Sequence, residues 1–194
     1  MSITVTPDND APTVGVAAVG SCGTNDRSGT INLTLSDPEG DAMSLTRVSN
    51  TNTTLVPNSN VVLGGTGANR TLTATAVSGR TGTAEITVRV SDDMATADLK
   101  LTVKVDGNGS RTTNGTTGPD LLFGQNGDDV LNGRAANDLL CGGRGNDTLN
   151  GNAGNDTMTG GTGADRFSGG LDTDRATDFT PSQGDTKDNT TEPS

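Results

Sequence analysis

In the first half of the chain, apolar and polar residues alternate with a period of two. Ile31-Asn32-Leu33-Thr34-Leu35, Leu72-Thr73-Ala74-Thr75-Ala76, Ala84-Glu85-Ile86-Thr87-Val88-Arg89-Val90 and Leu99-Lys100-Leu101-Thr102-Val103-Lys104-Val105 show it most clearly. Such alternation predicts strands that are buried on one face, and their β-branched residues suit a pleated surface. Turn-forming clusters separate the runs: Ser36-Asp37-Pro38-Glu39-Gly40-Asp41, Pro57-Asn58-Ser59-Asn60, Gly64-Gly65-Thr66-Gly67 and Ser78-Gly79-Arg80-Thr81-Gly82. Weaker runs around residues 13–19, 43–49 and 60–63 bring the prediction to about seven short strands, the pattern of an antiparallel β-sandwich.

Near residue 106 the period changes from two to nine. From Gly115 the chain reads G-T-T-G-P-D-L-L-F, G-Q-N-G-D-D-V-L-N, G-R-A-A-N-D-L-L-C, G-G-R-G-N-D-T-L-N, G-N-A-G-N-D-T-M-T, G-G-T-G-A-D-R-F-S and G-G-L-D-T-D-R-A-T. Position one is Gly, position six is Asp and position eight is apolar in all seven. A disordered Gly-Asp-Asn tract has no use for an apolar residue at every ninth position. Glycines at positions one, two and four predict a loop whose backbone curls with its carbonyls inward. The apolar residue at position eight, between outward neighbours, predicts a three-residue strand with one buried side chain. The sequence thus divides into a sandwich over residues 1–105, a linker or decayed repeat over 106–114, a repeat domain with a cap over 115–185 and a disordered tail over 186–194.

Composition narrows the chemistry. The chain has 29% hydrophobic and 2% aromatic residues, with no His, Trp or Tyr, which excludes His-dependent catalysis, His-based zinc sites and aromatic stacking platforms for bases. A net charge of −11 disfavours nucleic acid and anionic membranes and invites cations. No run of 18 apolar residues exists, so membrane insertion is not expected. So few apolar residues at this charge suggest disorder unless something else stabilises the fold, and a bound metal is the first candidate. The sequence contains no H-E-x-x-H, no G-x-S-x-G and no Gly-Lys phosphate loop, so no enzyme activity is expected. Cys22 and Cys141, far apart in the chain, match neither a redox pair nor a zinc pattern, and Cys141 reads as a small surface residue.

The nine-residue period resembles the RTX (repeats-in-toxin) calcium-binding nonapeptide G-G-x-G-x-D-x-U-x, and Gly142–Asn150 matches it throughout. The resemblance implies an all-β chain whose sandwich is followed by a calcium-bound parallel β-roll with two repeats per turn, so that alternate repeats stack. It also implies that calcium sits between stacked loops, held by Asp120, Asp129, Asp138, Asp147, Asp156, Asp165 and Asp174. The further ligands would be carbonyls of the loops containing Gly115, Gly118, Gly124, Gly127, Gly133, Gly142, Gly143, Gly145, Gly151, Gly154, Gly160, Gly161 and Gly163. Seven repeats make five stacked pairs, hence up to five ions. Calcium accepts such a tolerant shell of hard oxygens, whereas magnesium's stricter octahedron does not. Thr177–Asp185 resembles the segment that follows the last repeat in this family, which implies a cap with Phe179 over the last apolar layer. The first half resembles bacterial immunoglobulin-like or cadherin-like modules at Asp8-Asn9-Asp10-Ala11-Pro12, Asp37-Pro38-Glu39-Gly40-Asp41 and Val90-Ser91-Asp92-Asp93, and departs from true immunoglobulin domains in lacking the core Trp and the inter-sheet Cys pair. Its acidic residues read as solvated turns in preference to intermodule calcium ligands.

Two functions fit these readings. One is a calcium-binding structural or adhesive segment of a secreted or surface-attached bacterial protein, whose roll folds on meeting extracellular calcium. The other is the carboxy-terminal export and folding tail of a larger toxin, protease or lipase. Ice binding would need a regular Thr and Asn ladder at positions three and five, and position three (Thr117, Asn126, Ala135, Arg144, Ala153, Thr162, Leu171) supplies none. The first 20 residues lack a secretory signal pattern and the last five lack an apolar end, while the acidic entrance reads as a junction within a longer protein. Leu121, Phe123, Leu139 and Cys141, outward on one sheet of the predicted roll, form an apolar patch that the linker, the sandwich or a second copy should cover.

Overall fold

The last strand of the sandwich is also the first rung of the roll. In the computed structural model, which describes residues 8–193, the strands are β1 (Thr13–Cys22), β2 (Ser28–Ser36), β3 (Ser44–Asn50), β4 (Val61–Thr66), β5 (Asn69–Thr75), β6 (Gly82–Ser91) and β7 (Thr96–Val105). They continue as β8 (Thr112–Asn114), β9 (Asp120–Asn126), β10 (Val130–Ala135), β11 (Leu139–Arg144), β12 (Thr148–Ala153), β13 (Thr157–Thr162), β14 (Arg166–Leu171), β15 (Asp174–Ala176), β16 (Thr186–Lys187) and β17 (Thr191–Pro193). Strands β1 to β7 form the antiparallel sandwich, with β1-β2-β5-β4 as one sheet and β3, β6 and β7 in the other. Strand β7 then pairs in parallel with β9, Thr102–Val105 against Asp120–Phe123. A single eight-stranded sheet therefore runs β17-β15-β13-β11-β9-β7-β6-β3 through both halves, and the roll's second sheet is β16-β14-β12-β10-β8.

Repeats two apart stack as expected: Leu131 lies against Leu149 and Leu140 against Met158. The strands are longer than the three residues predicted, because pairing skips position one and resumes at positions two and three, as in Gly143 against Gly161. Every position-eight residue is at most 1% exposed, and together they make the roll's own core. Phe179 closes that core, edge-on to Phe167 at 6.2 Å, with the Lys187 ammonium 5.4 Å from its ring centre.

Residues 106–114, expected as a linker or a decayed repeat, form a coil of the roll, since β8 pairs with β10. Thr113 occupies the apolar position and is buried opposite Leu131. The tail expected to be disordered also pairs, β16 with β14 and β17 with β15. Residues 1–7 and 194, assigned from sequence to the sandwich and the tail, lie outside the described residues.

The outward apolar patch is covered by the sandwich. Leu121, Phe123, Leu139 and Cys141 are at most 3% exposed and belong to the same core as Ile31, Leu72 and Ile86. Small residues allow this contact: a Cβ on Gly29 of β2 would lie 3.0 Å from Leu139 and 3.1 Å from Phe123. Cys141 is therefore no surface residue. It is buried and disulfide-bonded to Cys22 of β1.

Candidate metal centre

The position-six carboxylates form two buried columns at opposite edges of the roll. Asp120, Asp138, Asp156 and Asp174 lie in one and Asp129, Asp147 and Asp165 in the other, each at most 3% exposed. One bond repeats along both columns: the backbone N–H of Asp120, Asp129, Asp138, Asp147 and Asp156 donates to Oδ1 of the position-six Asp one turn further on. It measures 2.9 Å from Asp120 to Asp138 and 2.8 Å from Asp138 to Asp156, from Asp129 to Asp147 and from Asp147 to Asp165. Oδ1 is thereby satisfied. Oδ2 of Asp129, Asp138, Asp147, Asp156 and Asp174 is buried and has no hydrogen-bond partner.

These second oxygens face the position-one glycines. A Cβ placed on Gly115, Gly124, Gly133, Gly142, Gly151, Gly160 or Gly169 would lie 2.3–2.6 Å from Oδ2 of the Asp five residues later. The first five of these would also meet the carbonyl oxygen of the next turn's position-one glycine at 2.2–2.8 Å. None of the seven has positive φ, so position one is Gly for lack of space and not for backbone freedom, as its sequence had suggested. Positions two and four are the left-handed ones, at Gly143, Gly161 and Gly170 and at Gly127, Gly145, Gly154 and Gly163. Non-glycine residues there, Gln125, Arg134, Ala136, Asn152 and Asp172, take positive φ as well. Position-four Gly118 does not, and its carbonyl instead accepts the Thr116 hydroxyl at 3.2 Å. A Cβ on Gly145 would lie 2.3 Å from the Gly127 carbonyl oxygen, and one on Gly161 2.0 Å from that of Gly143, so a loop carbonyl abuts the glycine stacked on it one turn later.

Burial and mutual repulsion raise these carboxylates. Desolvation, followed by the charges of Asp156 and Asp120, pushes Asp138 up to about 9. Desolvation likewise brings Asp147 and Asp156 to about 7 and Asp129 and Asp165 to about 6. Asp120 and Asp174 are also raised by burial. Among the described residues, no three carboxylates or thiols converge tightly enough to hold a metal with side chains alone. What the loops can offer an ion is one or two carboxylates with backbone carbonyls, all hard oxygens, a set of the kind that suits calcium better than zinc or magnesium.

Sequence reading missed three parts of this arrangement. Asp185 continues the shorter column, since the Asp165 N–H donates to its Oδ1 at 2.9 Å, but its offset of 20 residues breaks the period. Asp178 accepts the N–H groups of Gly160 and Gly161 at 2.9 and 2.7 Å. Position five carries a counter-ladder, in which Asn146 N–H donates to Asp128 at 2.7 Å and Asn155 N–H to Asn137 at 2.8 Å. Its signal is the run of Asp128, Asn137, Asn146 and Asn155 at spacing nine. The acidic sandwich residues serve their own turns: Asp37 accepts N–H groups of Glu39 and Asp41, and Asp92 those of Met94 and Ala95.

Fold and site together define an all-β bacterial protein in which an Ig-type sandwich is fused to a roll of calcium-binding repeats. The family model of the bacterial Ig domain matches residues 9–114, more than half of the chain, and that of the RTX calcium-binding nonapeptide repeat matches 114–149 and 142–176. The chain belongs to the bacterial Ig domain family and carries RTX repeats behind that domain. No curated protein matches it. Among solved structures, an endo-fucoidan hydrolase, MfFcnA9 from glycoside hydrolase family 107, is similar over 53% of this chain and 17% of that one, at 17% identity and a TM-score of 0.34. The chain thus spans about a sixth of that enzyme's length, and a likeness so slight carries no argument.

Proposed function

We propose that this chain is a calcium-locked structural or adhesive segment of a larger secreted or surface-attached bacterial protein, its sandwich acting as a spacer that presents the roll. The observation that carries this reading is the pair of carboxylate columns, each buried, with Oδ2 of Asp129, Asp138, Asp147, Asp156 and Asp174 left without a hydrogen-bond partner. A buried charge without a partner costs several kcal/mol, and calcium between the loops would remove that cost. The ligands would be Asp120, Asp129, Asp138, Asp147, Asp156, Asp165 and Asp174 with carbonyls of the glycine loops. Asp185 would join the shorter column and raise the stacked pairs from five to six. The Cys22–Cys141 bond supports an oxidising compartment outside the cytosol. Extracellular modules bind calcium at about 10⁻⁴ to 10⁻³ M, so the roll would gain its full structure on export.

Circular dichroism of the whole chain, in chelator and then in millimolar calcium, tests the reading. Strand content should rise on adding calcium, and an unchanged spectrum would overturn it.

A further inference from the structure

The turn between β1 and β2 overhangs the loops of the shorter carboxylate column, leaving a groove of about 350 Å³. Its lining is polar throughout: Asn25, Asp26 and Arg27 on the sandwich side, Gln125, Asn126 and Arg144 on the roll. We propose that this groove binds an acidic saccharide, whose carboxylate or sulfate groups are held by Arg27 and Arg144.

Both guanidinium groups have unused donors. Arg27 donates from Nη1 to Ser78 at 2.8 Å, while its Nε is buried with no partner. Arg144 is exposed and makes no ion pair among the described residues, where the ion pairs are Arg89–Asp98 and Lys100–Glu85. Such groups bind carboxylate and sulfate through paired, charge-assisted hydrogen bonds. Beside them, Gln125 donates to the Asp106 carbonyl at 2.9 Å and Asn126 to Asn108 at 2.7 Å, which fixes both amides and leaves their oxygens for ligand hydroxyls. The turn is itself held in place, by the Cys22–Cys141 bond at its root and by Gly23 N–H to the Ser28 carbonyl at 2.6 Å.

The ligand class follows from what the groove lacks. A peptide would need apolar or aromatic anchors, and no apolar side chain lines the groove. A neutral sugar is commonly held by stacking on a ring, but Phe123 and Phe167 are buried and Phe179 packs on Phe167. The larger cavity beside β8, near Lys104 and Arg111, is a poorer anion site because the Lys104 ammonium is already bonded to the Asn114 carbonyl. In its charge balance the inference rests on the calcium reading: an ion in each of the six stacked pairs carries twelve positive charges in all, against the chain's −11.

Calorimetry on the whole chain in millimolar calcium, with tetragalacturonate, a sulfated galactotetraose and neutral galactotetraose, tests it. The charged probes should bind and the neutral one should not, and the tighter of the two identifies the acid group preferred. Arg144→Gln should weaken binding about tenfold or more, as expected for a lost charged hydrogen bond. Arg134→Gln removes the same charge from the opposite edge of the roll and should leave binding unchanged. Absence of binding, equal binding of the neutral probe, or equal weakening by the two variants would each overturn the groove. Strand content measured on the same samples reports on calcium separately: Arg144-dependent binding by a chain that folds fully in chelator would support the groove and remove the calcium reading.

Discussion

Cys22 of β1 is bonded to Cys141 of β11, joining the sandwich to the roll across 119 positions of sequence, with Cα atoms 6.0 Å apart. The bond lies inside a core that both halves share, next to Leu139 and Phe123. A closed loop of this length raises stability by up to about 4 to 5 kcal/mol in the chain-entropy view. Reduction, or Cys22→Ser with Cys141→Ser, should therefore lower the urea midpoint by the equivalent of about 2 to 4 kcal/mol, since the β7–β9 ladder continues to hold the halves together. Coincident unfolding curves with and without reductant would show that the bond contributes nothing.

The same junction divides the roll's response to calcium. Strands β9 and β11 lean on the sandwich, whereas β14, β15, β16 and β17 pair only with other coils of the roll. Calcium removal should thus release the far end and spare the near end. Hydrogen exchange in chelator should leave amides of residues 120–126 and 139–144 protected and expose those of 166–176. Uniform loss of protection from 115 to 185 would mean that the sandwich does not template the roll.

Much of this architecture is legible in the sequence, for a physical reason. Position six needs a carboxylate and position eight an apolar side chain at every turn, so the period survives whatever fills the remaining positions. The coil at 106–114 escapes because Arg111 and Thr113 replace those two residues, although Gly107 and Gly109 keep the loop's glycines. The disulfide escapes because two isolated cysteines carry no spacing signal. Its trace is indirect, in the apolar Leu121, Phe123, Leu139 and Cys141 that the repeat register turns outward. Asp185 is hidden by its two extra residues, which the short 3-10 turn Pro181–Gln183 absorbs.

The glycine at position one and the residue at position four respond oppositely to substitution. Gly142→Ala would place a Cβ 2.3 Å from Asp147 Oδ2 and 2.6 Å from the Gly160 carbonyl, and overpacking of this kind costs about 1 to 3 kcal/mol. Ala136 has φ +71, a conformation that costs a non-glycine residue about 1 to 2 kcal/mol. Ala136→Gly should therefore raise the melting temperature in calcium while Gly142→Ala lowers it. The reverse order would refute this account of the two positions.

Protons should partly replace calcium. Asp138, Asp147, Asp156, Asp129 and Asp165 all titrate above the ordinary carboxylate value in the folded roll, at about 9, 7, 7, 6 and 6. A carboxylate raised by folding favours the fold fully below its unfolded value near 4 and loses that contribution as pH climbs through its folded value. In chelator the roll should therefore be most stable near pH 4 to 5 and weaken steadily towards pH 9. Asp188, held down to about 2 by Ser168 and Thr190 despite its burial, runs the other way and matters only in stronger acid. Thermal melts in chelator across this range check the slope, and stability that rises with pH would contradict it.

The two columns should not be equally sensitive to loss of a ligand. Asp147 stands inside its column, accepting the Asp129 N–H and donating to Asp165, at 2.8 Å each, between loops whose position-four residues Gly127, Gly145 and Gly163 are all left-handed glycines. Asp174 ends the position-six series in the other column, and its loop carries the strained Asp172 at φ +75. An ion on either side of Asp147 would draw on its carboxylate, while Asp174 would serve a single ion. Asn keeps the oxygen that accepts the ladder hydrogen bond and removes the charge, so Asp147→Asn and Asp174→Asn compare ligand loss without breaking the ladder. A charged contact contributes about 1.5 to 3 kcal/mol, so Asp147→Asn should raise the calcium concentration for half-maximal folding about tenfold or more. Asp174→Asn should raise it less, because the ion it serves is already the weaker one. Calcium titrations followed by circular dichroism decide the matter, and an equal or larger shift for Asp174→Asn would show that position in the column does not set the strength of a site.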